Sequence, residues 1–243
     1  AMENTAAGIA AALEAARERI IISTYGIRHI INRQNRLYPS IKRRIAIREE
    51  YDEVRKSIRT KAKERKTLQT EKKALSPLHV KRHLELASQI AVLTEEIEEL
   101  RSKKKHILAR AKCDDDEGMK TFTANLEQAK RNYNDLIERK TALTAERQDG
   151  ITQYEDVYER IQPGDEDAVK AECQRIRTEA ESRISETVSE IYGKAFDPKL
   201  LSDATKETDL DLIMDRKTME HRRKLHEQNR TPLRELSQNY GER

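Results

Sequence analysis

Between Leu86 and Ile161 the chain repeats one rhythm. Leu86, Ile90, Leu93, Ile97, Leu100, Lys104 and Ile107 are separated alternately by four and three residues. After a short acidic break the pattern resumes at Met119 and runs through Leu126, Tyr133, Leu136, Leu143, Gly150, Tyr154, Val157 and Ile161. A period of about 3.5 residues held this long confines the apolar surface to a narrow stripe, which is buried only against another helix. The break, Cys113-Asp114-Asp115-Asp116-Glu117-Gly118, is short. Helices joined by so few residues usually fold back on each other. The expectation is an all-α chain, an elongated antiparallel coiled coil built from helical hairpins of long helices, with 76–162 as a central hairpin.

Composition supports thin seams over a thick core. Charged residues make up 38% of the chain and aromatics 4%, with no Trp, so few large side chains are present to fill a globular interior. The apolar clusters, such as Ile20-Ile21-Ile22, are far too short to span a bilayer, and no membrane partner is expected. The Ala-rich opening carries Glu14, Arg17 and Glu18 and does not read as a signal peptide. Cys113 and Cys173 suggest no disulfide framework, which suits a reducing cytoplasm.

Proline and glycine punctuate the rest. A first helix over 4–36 is expected to stop at Tyr38-Pro39-Ser40, because the residue before proline is pushed out of the α region. A second helix follows over about 41–75, with a seam of Ile47, Tyr51, Val54 and Ile58 that turns cationic at Lys61, Arg65 and Lys72. Ser76-Pro77 starts a third, about 77–112. Asp114 and Glu117 resemble a capping box for the fourth. Pro163-Gly164 ends it, a fifth helix reaches Gly193, and Asp197-Pro198 caps a short helix through Leu201. The domain plan is a basic helical pair (4–75), the central hairpin (76–162), and C-terminal helices with a polar tail (163–243) that frays beyond Met219.

Few residues offer chemistry. His79 and His83 stand four apart, but no third ligand is evident, so no metal is assigned. The acidic run 114–118 lacks the alternating ligand spacing of a calcium loop. There is no glycine-rich phosphate loop and no Gly-x-Ser-x-Gly elbow. Tyr25 and Tyr38 flank basic residues, but no histidine cluster stands ready to hold an activating metal. No catalytic residue and no cofactor is assigned, and an enzyme is disfavoured.

One constellation stands out. Arg17, Arg19, Arg28, Arg33, Arg36, Lys42, Arg43, Arg44 and Arg48 are interrupted by a single acidic residue, Glu18. The guanidinium fork binds two phosphate oxygens at once. Charge is also lopsided: residues 1–112 hold 26 Lys/Arg against 14 Asp/Glu, whereas 113–243 hold 22 against 30. Such asymmetry points to a polyanion, and Arg28, Arg33, Arg36, Lys42, Arg43 and Arg44 are the candidate DNA-binding residues.

The middle and end of the chain resemble the C-terminal region of MobA/MobL-type mobilisation relaxases of Gram-positive plasmids and mobile elements. The likeness covers about 68–210. It rests on Leu75-Ser76-Pro77-Leu78, Lys81-Arg82-His83, the run Ile90 to Ser102, the turn Cys113 to Met119, and Ile191-Tyr192-Gly193-Lys194-Ala195-Phe196-Asp197-Pro198. Family relaxases nick DNA with an N-terminal domain carrying a catalytic Tyr and a three-histidine metal site. No His-hydrophobe-His pair occurs here, so nicking does not carry over. The resemblance implies the non-catalytic helical part of a plasmid mobilisation (conjugation) system, engaging DNA or transfer-machinery proteins. The alternative is a coiled-coil scaffold or homodimerisation rod with no nucleic-acid role.

Overall fold

The structure, a computed structural model, describes residues 5–212. These form five α-helices: α1 (Ala6–Ala74), α2 (Val80–Ala111), α3 (Asp116–Tyr158), α4 (Glu166–Tyr192) and α5 (Pro198–Leu212), with a 3-10 turn at Gly193–Ala195 before α5. The described residues contain no strand, so the fold class is all-α as the periodicity predicts. None of these helices is long and apolar enough to cross a membrane. The frayed tail expected beyond Met219 lies outside the described residues.

Contacts divide the chain into two units, one from 5–32 with 137–212 and one from 33–136. These boundaries differ from the expected domain plan because α1 and α3 each contribute to both units.

The expected break at Pro39 does not occur: α1 is one helix of 69 residues with Pro39 inside it. An interior proline removes one backbone hydrogen bond and costs about 3 kcal/mol. Burial of Ile30, Gln34 and Ile41 on either side offsets that loss.

In the 33–136 unit, α2 runs antiparallel to α1. Arg82 pairs with Glu71, Arg65 reaches Thr94, Lys61 pairs with Glu96, and Arg110 pairs with Glu50. Each step down α1 is a step up α2. The cationic half of the α1 seam thus meets the acidic stretch of α2. The part of α3 in this unit is also antiparallel to α1, since Tyr51 meets Asp116 and Tyr38 meets Tyr133. Two helices that both oppose α1 run in the same direction, so the expected α2–α3 hairpin is incorrect. The chain loops at 112–115, through Lys112 in the left-handed region (φ 57°), and α3 sets out beside the last turns of α2. There Ile47, Tyr51, Val54, Ile107, Leu108, Ala111 and Met119 form the core where three helices meet. The cap on α3 is Asp115, whose Oδ1 accepts the Gly118 amide at 2.8 Å, in place of the expected Asp114.

In the other unit α3 again opposes α1. Arg19 meets Gln153, Ile20 meets Gly150, Arg147 meets Thr24, and Gly26 meets Leu143. A Cβ on Gly26 would lie 2.7 Å from Leu143 Cδ1 and from Tyr192 Oη, so glycine here serves a close approach. Helix α4 runs parallel to α1: Cys173 lies against the Ala10 carbonyl, Arg177 against Glu14 and Arg183 against Glu18. Gly193 ends α4 at φ 51°. Asp197 caps α5 by accepting the amides of Lys199 and Leu200. Helix α5 does not stop at Leu201 as expected. It continues to Leu212 because Leu200, Ala204, Thr208 and Leu212 are buried at helical spacing.

Candidate nucleic-acid interface

The six candidate residues fall into both units, and each unit treats its members differently. Arg28 lies in the unit formed with α4 and α5. Its Nε donates to Glu207 Oε2 at 2.6 Å, so its charge is already matched. Its neighbours in the basic run are engaged too: Arg17 is paired with Asp209 and Arg48 with Asp52, and Arg19 donates to the neutral amide of Gln153.

Arg33, Arg36, Lys42 and Arg43 are exposed in the 33–136 unit, and Arg44 is half-buried. None of the five has an ion pair or side-chain hydrogen bond among the described residues. At about 100° per helical residue, Arg33 and Arg44 fall within about 20° of each other, as do Arg36 and Arg43. The four arginines therefore share one flank of α1, and Lys42 lies on the other side. No Asp or Glu occurs from Arg19 through Arg48, so no carboxylate on this part of the helix offsets them. The whole unit holds 26 Lys/Arg against 17 Asp/Glu, a formal +9.

Because α2 stops at Ala111 while α1 and α3 run on, an open groove of about 940 Å³ is left past its end. Arg43, Arg44, Arg110 and Lys112 line it, with Ile47 and Phe122 among its apolar members. Asp114 and Asp115 also border the groove, although Asp115 is occupied in capping α3.

The wall beside this groove is held by a polar knot. Tyr51 Oη donates to Asp116 Oδ1 at 2.8 Å, and Lys104 Nζ approaches the same oxygen at 2.6 Å. The Lys104 hydrogen bond, with that of Tyr51, holds the Asp116 carboxyl below its usual range. Burial, reinforced by Asp116, pushes the Tyr51 phenol up to about 12. Lys104 Nζ and the Arg48 guanidinium each lie 5.8 Å from the centre of the Tyr51 ring, within cation–π range. This fixes the α1 backbone just beyond the arginine row.

Tyr25 is buried, its Oη accepts the Asp197 amide at 2.9 Å, and burial raises its pKa. Tyr38 is exposed and packs against Tyr133. Both cysteines are free thiols. Burial pushes Cys173 up to about 11, and burial with Asp114 and Asp115 raises Cys113, so neither is a ready nucleophile. Among the described residues no group of three His, Cys, Asp or Glu side chains could hold a metal.

Sequence reasoning missed a buried ionic network. Arg17 is only 1% exposed, yet its Nε and Nη2 lie 2.6 and 3.0 Å from the two Asp209 oxygens. Glu14, also buried, lies 3.4 Å from Arg17 and 2.9 Å from Arg177. The available signal was positional: Leu13, Ala16 and Ile20 are buried around Arg17 on the same helix.

Comparison with protein-family models, curated proteins and solved structures found no match to this chain.

Proposed function

We propose that the chain is a non-catalytic helical module that binds DNA through its phosphates, of the kind its resemblance to mobilisation relaxases implies, working beside a DNA-transfer apparatus in the cytoplasm. The observation that carries the reading is the row of arginines at 33, 36, 43 and 44 on one flank of α1, unpaired among the described residues. Elsewhere on the described surface most arginines are bonded to a neighbouring side chain. Exposed cations left without partners on a rigid helix are arranged to meet an external polyanion. Arg28 is withdrawn from this site by Glu207 and Lys42 faces the other side of α1, so the proposed contact set is Arg33, Arg36, Arg43 and Arg44. The contacts are to phosphate, and binding is expected to be indifferent to base sequence.

The test is affinity for a fluorescent duplex as a function of salt. Four phosphate contacts give a slope near −3.6 in log affinity against log salt, roughly a 150-fold fall between about 50 and about 200 mM. Arg43→Glu/Arg44→Glu should abolish most of that binding while leaving helicity nearly unchanged, since neither the exposed Arg43 nor the half-buried Arg44 has an ion pair to lose among the described residues. Parent and double variant binding equally, or neither binding at low salt, would favour a scaffold with no nucleic-acid role.

A further inference from the structure

The 33–136 unit carries a second apolar stripe that is largely open: Val80, Leu84 and Ala91 are exposed and Ala87 is half-buried. On α2, Val80, Leu84, Ala87 and Ala91 follow steps of four, three and four. At about 100° per residue they lie within about 60° of one another, and roughly 130° around the helix from the buried seam of Leu86, Leu93 and Ile97. Helix α1 covers that seam. The second stripe stays open: Val80 is 61% exposed and Leu84 67%, and Leu78 in the preceding turn is 90% exposed. Single exposed apolar residues are ordinary, but a periodic row with its own heptad spacing is the surface of a helix that expects another helix.

Charge identifies the occupant. Toward the α1–α2 turn stand Lys73 and Lys81, both exposed and neither paired among the described residues. Toward the other end of the stripe stand Glu95, Glu98 and Glu99, of which only Glu98 is engaged, by Arg101 at 2.6 Å. Laid antiparallel, two such arms bring each lysine end onto the other's glutamate end; laid parallel, they set like charges together. The side-chain sizes agree, since in the antiparallel arrangement Leu84 of one arm seats on Ala87 and Ala91 of the other, large against small.

We infer that this face is a self-association surface, occupied by the same face of a second copy of the chain in antiparallel orientation. The pair of two-helix arms then forms a four-helix layer with Val80, Leu84, Ala87 and Ala91 inside it. The surface lies apart from the arginines at 33–44, and the inference does not rest on the DNA-binding reading.

Sedimentation equilibrium of the full chain over about 1–200 μM tests it. The expected result is a monomer–dimer equilibrium that weakens with salt, and whose dissociation constant rises more than about tenfold in Leu84→Asp. Leu84 is exposed, so that variant should keep the parent's circular dichroism. Glu95→Lys/Glu99→Lys and Lys73→Glu/Lys81→Glu should each fail to self-associate, yet pair with one another when mixed. In a Cys113→Ser/Cys173→Ser background, chains carrying Val80→Cys should cross-link to chains carrying Glu95→Cys, and neither should cross-link to itself. A monomer at every concentration overturns the inference. So does a dimer indifferent to Leu84→Asp, or one in which Val80→Cys cross-links to itself.

Discussion

Removing the carboxylate of Asp209 should destabilise the chain more than removing the arginine it serves. Arg17 is enclosed on all sides, at 1% exposure, whereas Asp209 is 37% exposed. Asp209→Ala therefore strands a buried guanidinium that has lost both of its short hydrogen bonds. A fully stranded buried charge costs about 3–5 kcal/mol. Glu14 at 3.4 Å and Glu181 at 3.9 Å remain to share the load, so the expected loss is about 2–3 kcal/mol. Arg17→Met removes the charge and keeps an unbranched side chain in the same space. It leaves Glu14 its bond to Arg177 at 2.9 Å and leaves Asp209 in contact with water. Buried ion pairs replaced by apolar residues are often neutral, and the expected loss is below about 1 kcal/mol. The double variant should resemble Arg17→Met, giving a large coupling between the two sites. Urea unfolding followed by circular dichroism measures all three. If Asp209→Ala unfolds with the parent, or if Arg17→Met is the worse variant, the bridge is a surface pair and the reasoning fails.

Thr208→Val should raise stability by about 1 kcal/mol, because the Thr208 hydroxyl is buried without a hydrogen-bond partner among the described residues; a thermal melt checks the sign. Gly26→Ala should cost about 1–2 kcal/mol, since overpacking against Leu143 and Tyr192 outweighs the better helix propensity of alanine. The Asp116 carboxyl is held low in the folded chain, so its contribution is present above the unfolded carboxylate range and is lost as pH falls through the lowered value. Melts taken across the acid range should therefore fall less steeply in Asp116→Asn than in the parent. With Cys173 near 11 against an ordinary 9.0, its thiolate at pH 8 is about a hundredfold scarcer than in an unfolded chain, and iodoacetamide should label it correspondingly slowly until urea is added.

The seam was legible in the sequence, but its partner was not. Leu86, Leu93, Ile97, Ile107, Met119, Leu126, Leu136, Val157 and Ile161 are all buried, as their spacing predicts. Periodicity says which face of a helix is covered and is silent on what covers it. The actual cover for α2 is a stretch of α1 whose seam reads as Lys61, Arg65 and Lys72, apparently unfit for packing until matched with Glu96 and Thr94. Pro39 misled for a related reason: a local rule was outweighed by tertiary burial on both sides of it. Gly26 was ambiguous in the sequence, where a helical glycine marks either a bend or a close contact, and only Leu143 and Tyr192 decide for the contact. The arginine row was visible by composition, but Arg28 could not be separated from Arg33 without Glu207, which stands far along the chain.

The unit built from 5–32 and 137–212 is assembled from the two ends of the described chain, and this has a consequence for synthesis. The 33–136 unit is contiguous and can close as soon as its last residues leave the ribosome. Residues 5–32 cannot. Ile9, Leu13, Ile20 and Ile21 await Val157, Ile161, Val169, Ile184 and Val188, which emerge more than a hundred residues later. At roughly 5–20 residues per second, the interval between residue 136 and residue 212 alone lasts about 4–15 s. Throughout it the apolar stripe over 9–21 is open to solvent while the contiguous 33–136 unit can already stand downstream of it. Folding order thus runs against chain order. The nascent N-terminal stripe is the segment most in need of a holdase, and ribosome profiling of chaperone engagement should find it occupied until α4 has been made.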